Sequence, residues 1–141
     1  AALGERLSRT VPILLLASDA EAAATARRLV PMARVEEILF GDIWLRDTGP
    51  IFTSADACAR FRFNGWGGKY DLAHDDTVGA RMAGLVGAEV TAHDFVLEGG
   101  AVEYDGQGLL LTTEQCLLNP NRNAHWTRAA AEAELGRALG I

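Results

Sequence analysis

Two short stretches of this chain set acids beside glycines where the backbone must turn. In Trp44-Leu45-Arg46-Asp47-Thr48-Gly49-Pro50 a tryptophan, an arginine and an aspartate precede a Gly-Pro pair. In Leu97-Glu98-Gly99-Gly100 a glutamate precedes a glycine pair and a fresh apolar segment. Two carboxylates at matching points suit a cation. A guanidinium fits them well, because it is flat, permanently charged and rich in donors that a carboxylate can accept in pairs. An indole over its face adds a cation–π contact worth roughly 2 kcal/mol once water is excluded. Asp47 and Glu98 are therefore candidate binding residues, with Trp44 as a pocket wall. A carboxylate held dry beside the substrate also moves protons when the carbon is attacked and nitrogen leaves, and Glu98 is assigned that role.

Other residues carry weaker signals. Arg46 would repel a cationic substrate, so it is expected to brace a carboxylate or the backbone. Asn64 and Trp66 lie in the glycine-rich run Asn64-Gly65-Trp66-Gly67-Gly68, which either lines the site or only bends the chain; Trp66 is included in the substrate-binding set. Asp42 is a weaker candidate. Cys58 and Cys116 have neither metal-ligand spacing nor a disulfide framework, and no histidine is spaced to activate either thiol. His74, His93 and His125 occur singly in polar connections and are assigned no role.

Composition narrows the classes. With 141 residues, 49% hydrophobic content and a formal charge of -6, the chain supports one globular unit with a real core. The acidic balance and the lack of a Lys/Arg run argue against nucleic acid and favour a cationic partner. No apolar run approaches the ~20 residues that cross a bilayer, and the opening lacks the basic and apolar regions of a secretory signal. A soluble, cytoplasmic protein with reduced cysteines is expected. The chain opens without methionine on what reads as the tail of a helix, so an earlier natural start is expected.

The elements that must position these residues read as α/β. Pro12 to Ala17 forms a buried strand, and Ser18-Asp19-Ala20-Glu21 is a capping box for a helix through about Leu29, closed by Pro31. Val35 to Phe40 is a strand, the Trp44 to Pro50 turn follows, and Ile51 to Thr53 and Cys58 to Phe63 resume the sheet. A helix with Asp76 as cap and Gly87 as stop carries Val78, Met82, Leu85 and Val86 on one face. Val90 to Ala92 and Val96-Leu97 are extended. Ala101 to Tyr104 pairs with Leu109 to Thr113 across Asp105-Gly106-Gln107-Gly108, and a last helix runs from Thr127 to about Leu139, stopped by Gly140. Helix, stop residue, strand, acidic turn with glycine, strand occurs twice, about fifty residues apart. Asp47 matches Glu98 and Gly49 matches Gly100. A third acidic turn would be due past the last helix, so residues 1–141 read as a partial chain.

Four ordered motifs then carry a resemblance: Trp44-x-Arg46-Asp47-x-Gly49-Pro50, Phe63-Asn64-x-Trp66-Gly67-Gly68, Leu97-Glu98-Gly99-Gly100, and the segment from Leu110-Leu111-x-Thr113-Glu114 through Leu118-Asn119-Pro120-x-Arg122-Asn123. Together they resemble agmatine deiminase, with the bacterial-type peptidylarginine deiminases nearest by motif in the same guanidine-modifying superfamily. The resemblance implies a pentein fold, a β/α propeller of five pseudo-repeats, of which about two to three would be present. It implies a cysteine thiolate that attacks the guanidinium carbon, expels ammonia and yields to water, converting agmatine to N-carbamoylputrescine without metal or organic cofactor. Asp47 would grip the guanidinium, Glu98 would assist proton transfer and Trp44 would wall the pocket.

The family's Gly-His-x-Asp and Gly-x-x-His-Cys motifs do not occur in residues 1–141, so this chain alone is expected to turn over nothing. Two alternatives stand beside the agmatine reading: peptidylarginine as substrate, and a non-catalytic fragment or assembly module. Open strand edges and apolar faces imply association with copies of itself or with the missing remainder.

Overall fold

A short apolar run followed by an alanine-rich stretch folds residues 14–37 as a β-α-β unit. β1 (Leu14–Ala17) lies parallel to β2 (Arg34–Glu37), with Leu14 opposite Arg34 and Ala17 opposite Glu37. α2 (Ala20–Leu29) makes the crossover that parallel strands require, and α1 (Ala2–Leu7) precedes it. The structure is a computed structural model describing residues 2–141, in two compact units that meet in sequence at Phe40 and Gly41. In the first, the cap of α2 is Asp19 rather than Ser18. The Asp19 carboxylate accepts the Ala22 N–H at 2.7 Å, and the Ser18 hydroxyl donates to that carboxylate at 3.1 Å. These two bonds hold the Asp19 carboxyl below its usual range. β2 also stops at Glu37, short of the expected Phe40.

The second unit is built on a three-stranded sheet. β3 (Ile51–Phe52) runs antiparallel to β4 (Ala57–Arg62), and β4 runs parallel to β5 (Glu89–Val96). The crossover between the parallel pair is α5 (Asp75–Val86), which stops at Gly87 in the left-handed conformation at φ 69°. The two extended segments expected around residues 90 and 96 are one strand. Its first four residues, Glu89 to Ala92, are all exposed, so they show none of the alternation that betrays a half-buried strand.

Alternation within β4 sends Ala59 and Phe61 to one face and Cys58 to the other. Ala59 and Phe61 pack with Phe95, Leu97 and Leu117, the last at the end of the short α6 (Glu114–Leu117), which α7 (Pro120–Asn123) follows. α8 (Arg128–Leu139) covers this cluster with Ala131, Leu135, Ala138 and Leu139, one helical stripe. Burying Leu135 and Leu139 contributes about 1.5–3 kcal/mol each. Thr127 caps α8 through the Ala130 N–H, and Gly140 ends it at φ 73°, both as the sequence implies. The hairpin also forms, with β6 (Val102–Tyr104) antiparallel to β7 (Leu110–Thr112). Its loop is tied by the Asp105 carboxylate, which accepts the Gln107 and Leu109 N–H groups at 2.8 and 3.0 Å.

Helix, stop, strand, acidic turn, strand is the observed order from α2 to β3 and again from α5 to β6. The propeller expected from the resemblance is not displayed among the described residues. Their strands form three separate sheets of two, three and two strands, none of them closed.

Candidate active site

The segment expected as a turn from Trp44 to Pro50 contains one helical turn, α3 (Leu45–Thr48). Its approach is anchored from α5. Asp75, 2% exposed, accepts the Gly41 and Asp42 N–H groups on Oδ1 at 2.7 and 3.1 Å. That is why Asp76 is not the cap of α5: the chain reaches the helix through His74 at φ 77°, and the acid at its start serves another segment. Asp75 Oδ2 meets no donor among the described residues.

Asp47 then meets two donors. The Gly100 N–H donates to Oδ1 at 2.9 Å, and Trp66 Nε1 donates to Oδ2 at 2.9 Å. A carboxylate has about four lone-pair sites, so each oxygen keeps acceptor capacity for a ligand. The Gly99-Gly100 pair exists for this approach. A Cβ on Gly100 would collide with Asp47 Oδ1, and one on Gly99 would collide with the Arg46 carbonyl oxygen. The second clash is with backbone, which no rotamer relieves. Gly99→Ala in the full-length protein is therefore expected to cost about 1–3 kcal/mol. Urea unfolding measures it, and a midpoint equal to wild type would mean that the two turns do not pack this closely.

Trp66 reaches Asp47 from a turn of unusual hand. In α4 (Gly65–Gly68) every residue has positive φ: 64° at Gly65, 56° at Trp66, 79° at Gly67 and 77° at Gly68. For three glycines this is ordinary, but for tryptophan it costs roughly 1–2 kcal/mol. Asn64 holds the turn, accepting the Gly67 N–H on Oδ1 at 2.8 Å and donating from Nδ2 to the Asn121 carbonyl at 2.8 Å. Phe63 and Tyr70 meet the indole edge-on, at centroid distances of 4.9 and 5.9 Å. The run expected either to line the site or only to bend makes a tight left-handed bend, and of its residues Trp66 lines a cavity beside Asp47.

Trp44, Asp47 and Trp66 line one cavity of about 410 Å3 together with Asp42, Lys69 and Tyr70. Trp44 is 58% exposed and so is not a core residue. Lys69 is held over the Tyr70 ring, Nζ 5.2 Å from its centroid. Glu98 is not in that lining. It is 3% exposed, so it is not a solvated surface acid, and its Oε1 accepts Arg122 Nε at 2.7 Å. The two acids are nonetheless joined: Glu98 leads through Gly99 to the Gly100 N–H that holds Asp47, and Arg122 lies against the turn that carries Trp66.

Arg46 braces nothing with its side chain, which is exposed and pairs with no described residue. Burial pushes the Cys58 thiol above its usual range, consistent with an inert side chain. The residues that sequence reasoning passed over are Arg122 and Asn123. The signal was there, since both stand in the fourth motif, but neither side chain marks a site by its type alone. Among the described residues no group of three or more His, Cys, Asp or Glu side chains is placed to hold a metal ion. No helix among them is long and apolar enough to cross a membrane.

Comparison with known proteins matches residues 1–141 to the model of the Porphyromonas-type peptidyl-arginine deiminases. The chain belongs to this family. Among curated members, the agmatine deiminase of Stutzerimonas stutzeri is 38% identical, aligned over 100% of this chain and 41% of its own length. A solved agmatine deiminase from Enterococcus faecalis superposes with a TM-score of 0.88 at 30% identity, covering 99% of this chain and 41% of that one. A substrate-bound C. jejuni agmatine deiminase gives 0.82 at 28% identity, over 99% of this chain and 43% of its own. The chain thus spans about two fifths of the length of the relatives it matches.

Proposed function

We propose that the protein carrying this chain is an agmatine deiminase, hydrolysing agmatine to N-carbamoylputrescine and ammonia within a five-repeat pentein propeller. The observation that carries the reading is Asp47: a carboxylate fixed by two donors on the wall of an aromatic cavity, with acceptor capacity left for a guanidinium. Trp44 and Trp66 form the walls against which the flat cation stacks. A cysteine thiolate forms a bond to the guanidinium carbon, and the tetrahedral adduct collapses as its C–N bond breaks and protonated nitrogen leaves as ammonia. Water then attacks the thiouronium carbon, the C–S bond breaks to release the ureido product, and a proton from that water restores the thiol. Glu98 assists the proton movements. Cys58 is not the nucleophile, being 1% exposed with a raised pKa, and the half-buried Cys116 does not line the cavity that holds Asp47, so neither thiol within residues 1–141 is assigned this role.

Peptidylarginine is the rival substrate, since the family model carries that description. Asp42 favours agmatine. It lines the same cavity, and agmatine alone of the two carries a distal ammonium for a second carboxylate to meet. Ammonia release by the full-length protein decides between them. Release from agmatine with none from a blocked arginine peptide is the expected result; the reverse preference would overturn it.

A further inference from the structure

Arg122 has no part in the chemistry described so far, yet it is the most deeply placed cation of the site. Its Nε donates to Glu98 Oε1 at 2.7 Å, with the two side chains only 13% and 4% exposed. A surface pair such as Arg128 with Glu132, at 75% and 66% exposure, contributes little because solvent screens it. A pair this far out of water is weak evidence for stability for a different reason: desolvating both charges cancels much of their attraction. The guanidinium therefore needs another reason to be there.

Its surroundings provide one. Nη1 donates to Asn121 Oδ1 at 3.1 Å, and it stands where any Cβ on Gly67 would strike it. The left-handed turn that delivers Trp66 to Asp47 is thus built around this guanidinium. We propose that Arg122 is a positioning residue for the deimination step, clamping Glu98 by one carboxylate oxygen so that Oε2 keeps a fixed place for proton transfer. The inference rests on the agmatine reading above. A proton-moving carboxylate gains from such a clamp because its rotamer is set before the substrate arrives.

A kinetic double-mutant cycle in the full-length protein, with agmatine as substrate, tests it. Arg122→Gln is expected to lower kcat about 10²-fold, the range of a displaced acid–base group, with much less effect on KM. Glu98→Gln is expected to lower kcat at least as far. In the Glu98→Gln background, Arg122→Gln should change kcat no further, because the arginine acts through the carboxylate that has gone. The double variant removes both buried charges and so folds even where Arg122→Gln alone does not. Arg122→Lys, which keeps the charge but not the planar fork, should recover part of the lost kcat. Losses that multiply in the double variant, or a lowered unfolding midpoint with unchanged kcat, would show a purely structural arginine. A wild-type protein that leaves agmatine intact removes the functional reading and this inference with it. An active wild type with a multiplicative cycle removes this inference alone.

Discussion

Asp47→Asn in the full-length protein is expected to lower kcat/KM for agmatine by about 10²- to 10⁴-fold. A carboxylate facing a guanidinium accepts two charge-assisted hydrogen bonds of about 1.5–3 kcal/mol each, and ~1.4 kcal/mol is a decade. The amide loses more than charge. Asp47 accepts the Gly100 N–H on one oxygen and Trp66 Nε1 on the other, whereas asparagine has one acceptor oxygen and an NH2 that must face one of those donors. The second consequence is structural: either the Glu-Gly-Gly turn or the Trp66 turn loses its anchor, at about 1–3 kcal/mol. The fold should survive this, since the main cluster beneath α8 does not include Asp47. Activity and thermal unfolding measured together separate the two effects. A kcat/KM within a factor of about three of wild type would remove Asp47 from the guanidinium site.

Much of this arrangement is legible in the sequence, and the boundary falls at a physical line. Local signals hold wherever one element decides its own limits: Thr127 and Gly140 frame α8, Gly87 ends α5, and the Asp105 loop closes the hairpin. They fail where a side chain serves a distant segment. Asp76 resembles a helix cap, but its neighbour Asp75 is turned to Gly41 and Asp42, more than thirty residues away. Nothing in a window of a few residues encodes that. The same holds at the site. Asp47 and Glu98 are marked by chemistry and by their places in the repeated order, but the links that orient them, Trp66 to Asp47 and Arg122 to Glu98, span 19 and 24 residues. The glycines around Trp66 are a readable hint, because three flanking one bulky residue point to positive φ. Where the indole points is not encoded there.

The turn that bears Glu98 is held by its backbone as well as by its carboxylate, so Asn123→Ala is expected to be the most destabilising single change in this region. Asn123 is 8% exposed. Its Oδ1 accepts the Val96 N–H at 3.0 Å, and its Nδ2 donates to the Val96 and Leu117 carbonyls at 3.0 and 3.1 Å. One side chain thereby completes the hydrogen bonding at the end of β5, two residues before Glu98. Alanine strands three buried backbone groups at about 1–3 kcal/mol each, and partial entry of water brings the total to roughly 3–5 kcal/mol. Asn123→Asp should be no better, because it sets a carboxylate oxygen against two carbonyls. Urea unfolding of the full-length protein measures both, with exposed Gln115→Ala as a control expected within about 0.5 kcal/mol of wild type. If Asn123→Ala also fell within that margin, β5 would not depend on this side chain. The expected loss instead unites the two residues of the Asn119–Asn123 motif in supporting one glutamate, since Asn123 holds the strand that presents it and Arg122 holds its carboxylate directly.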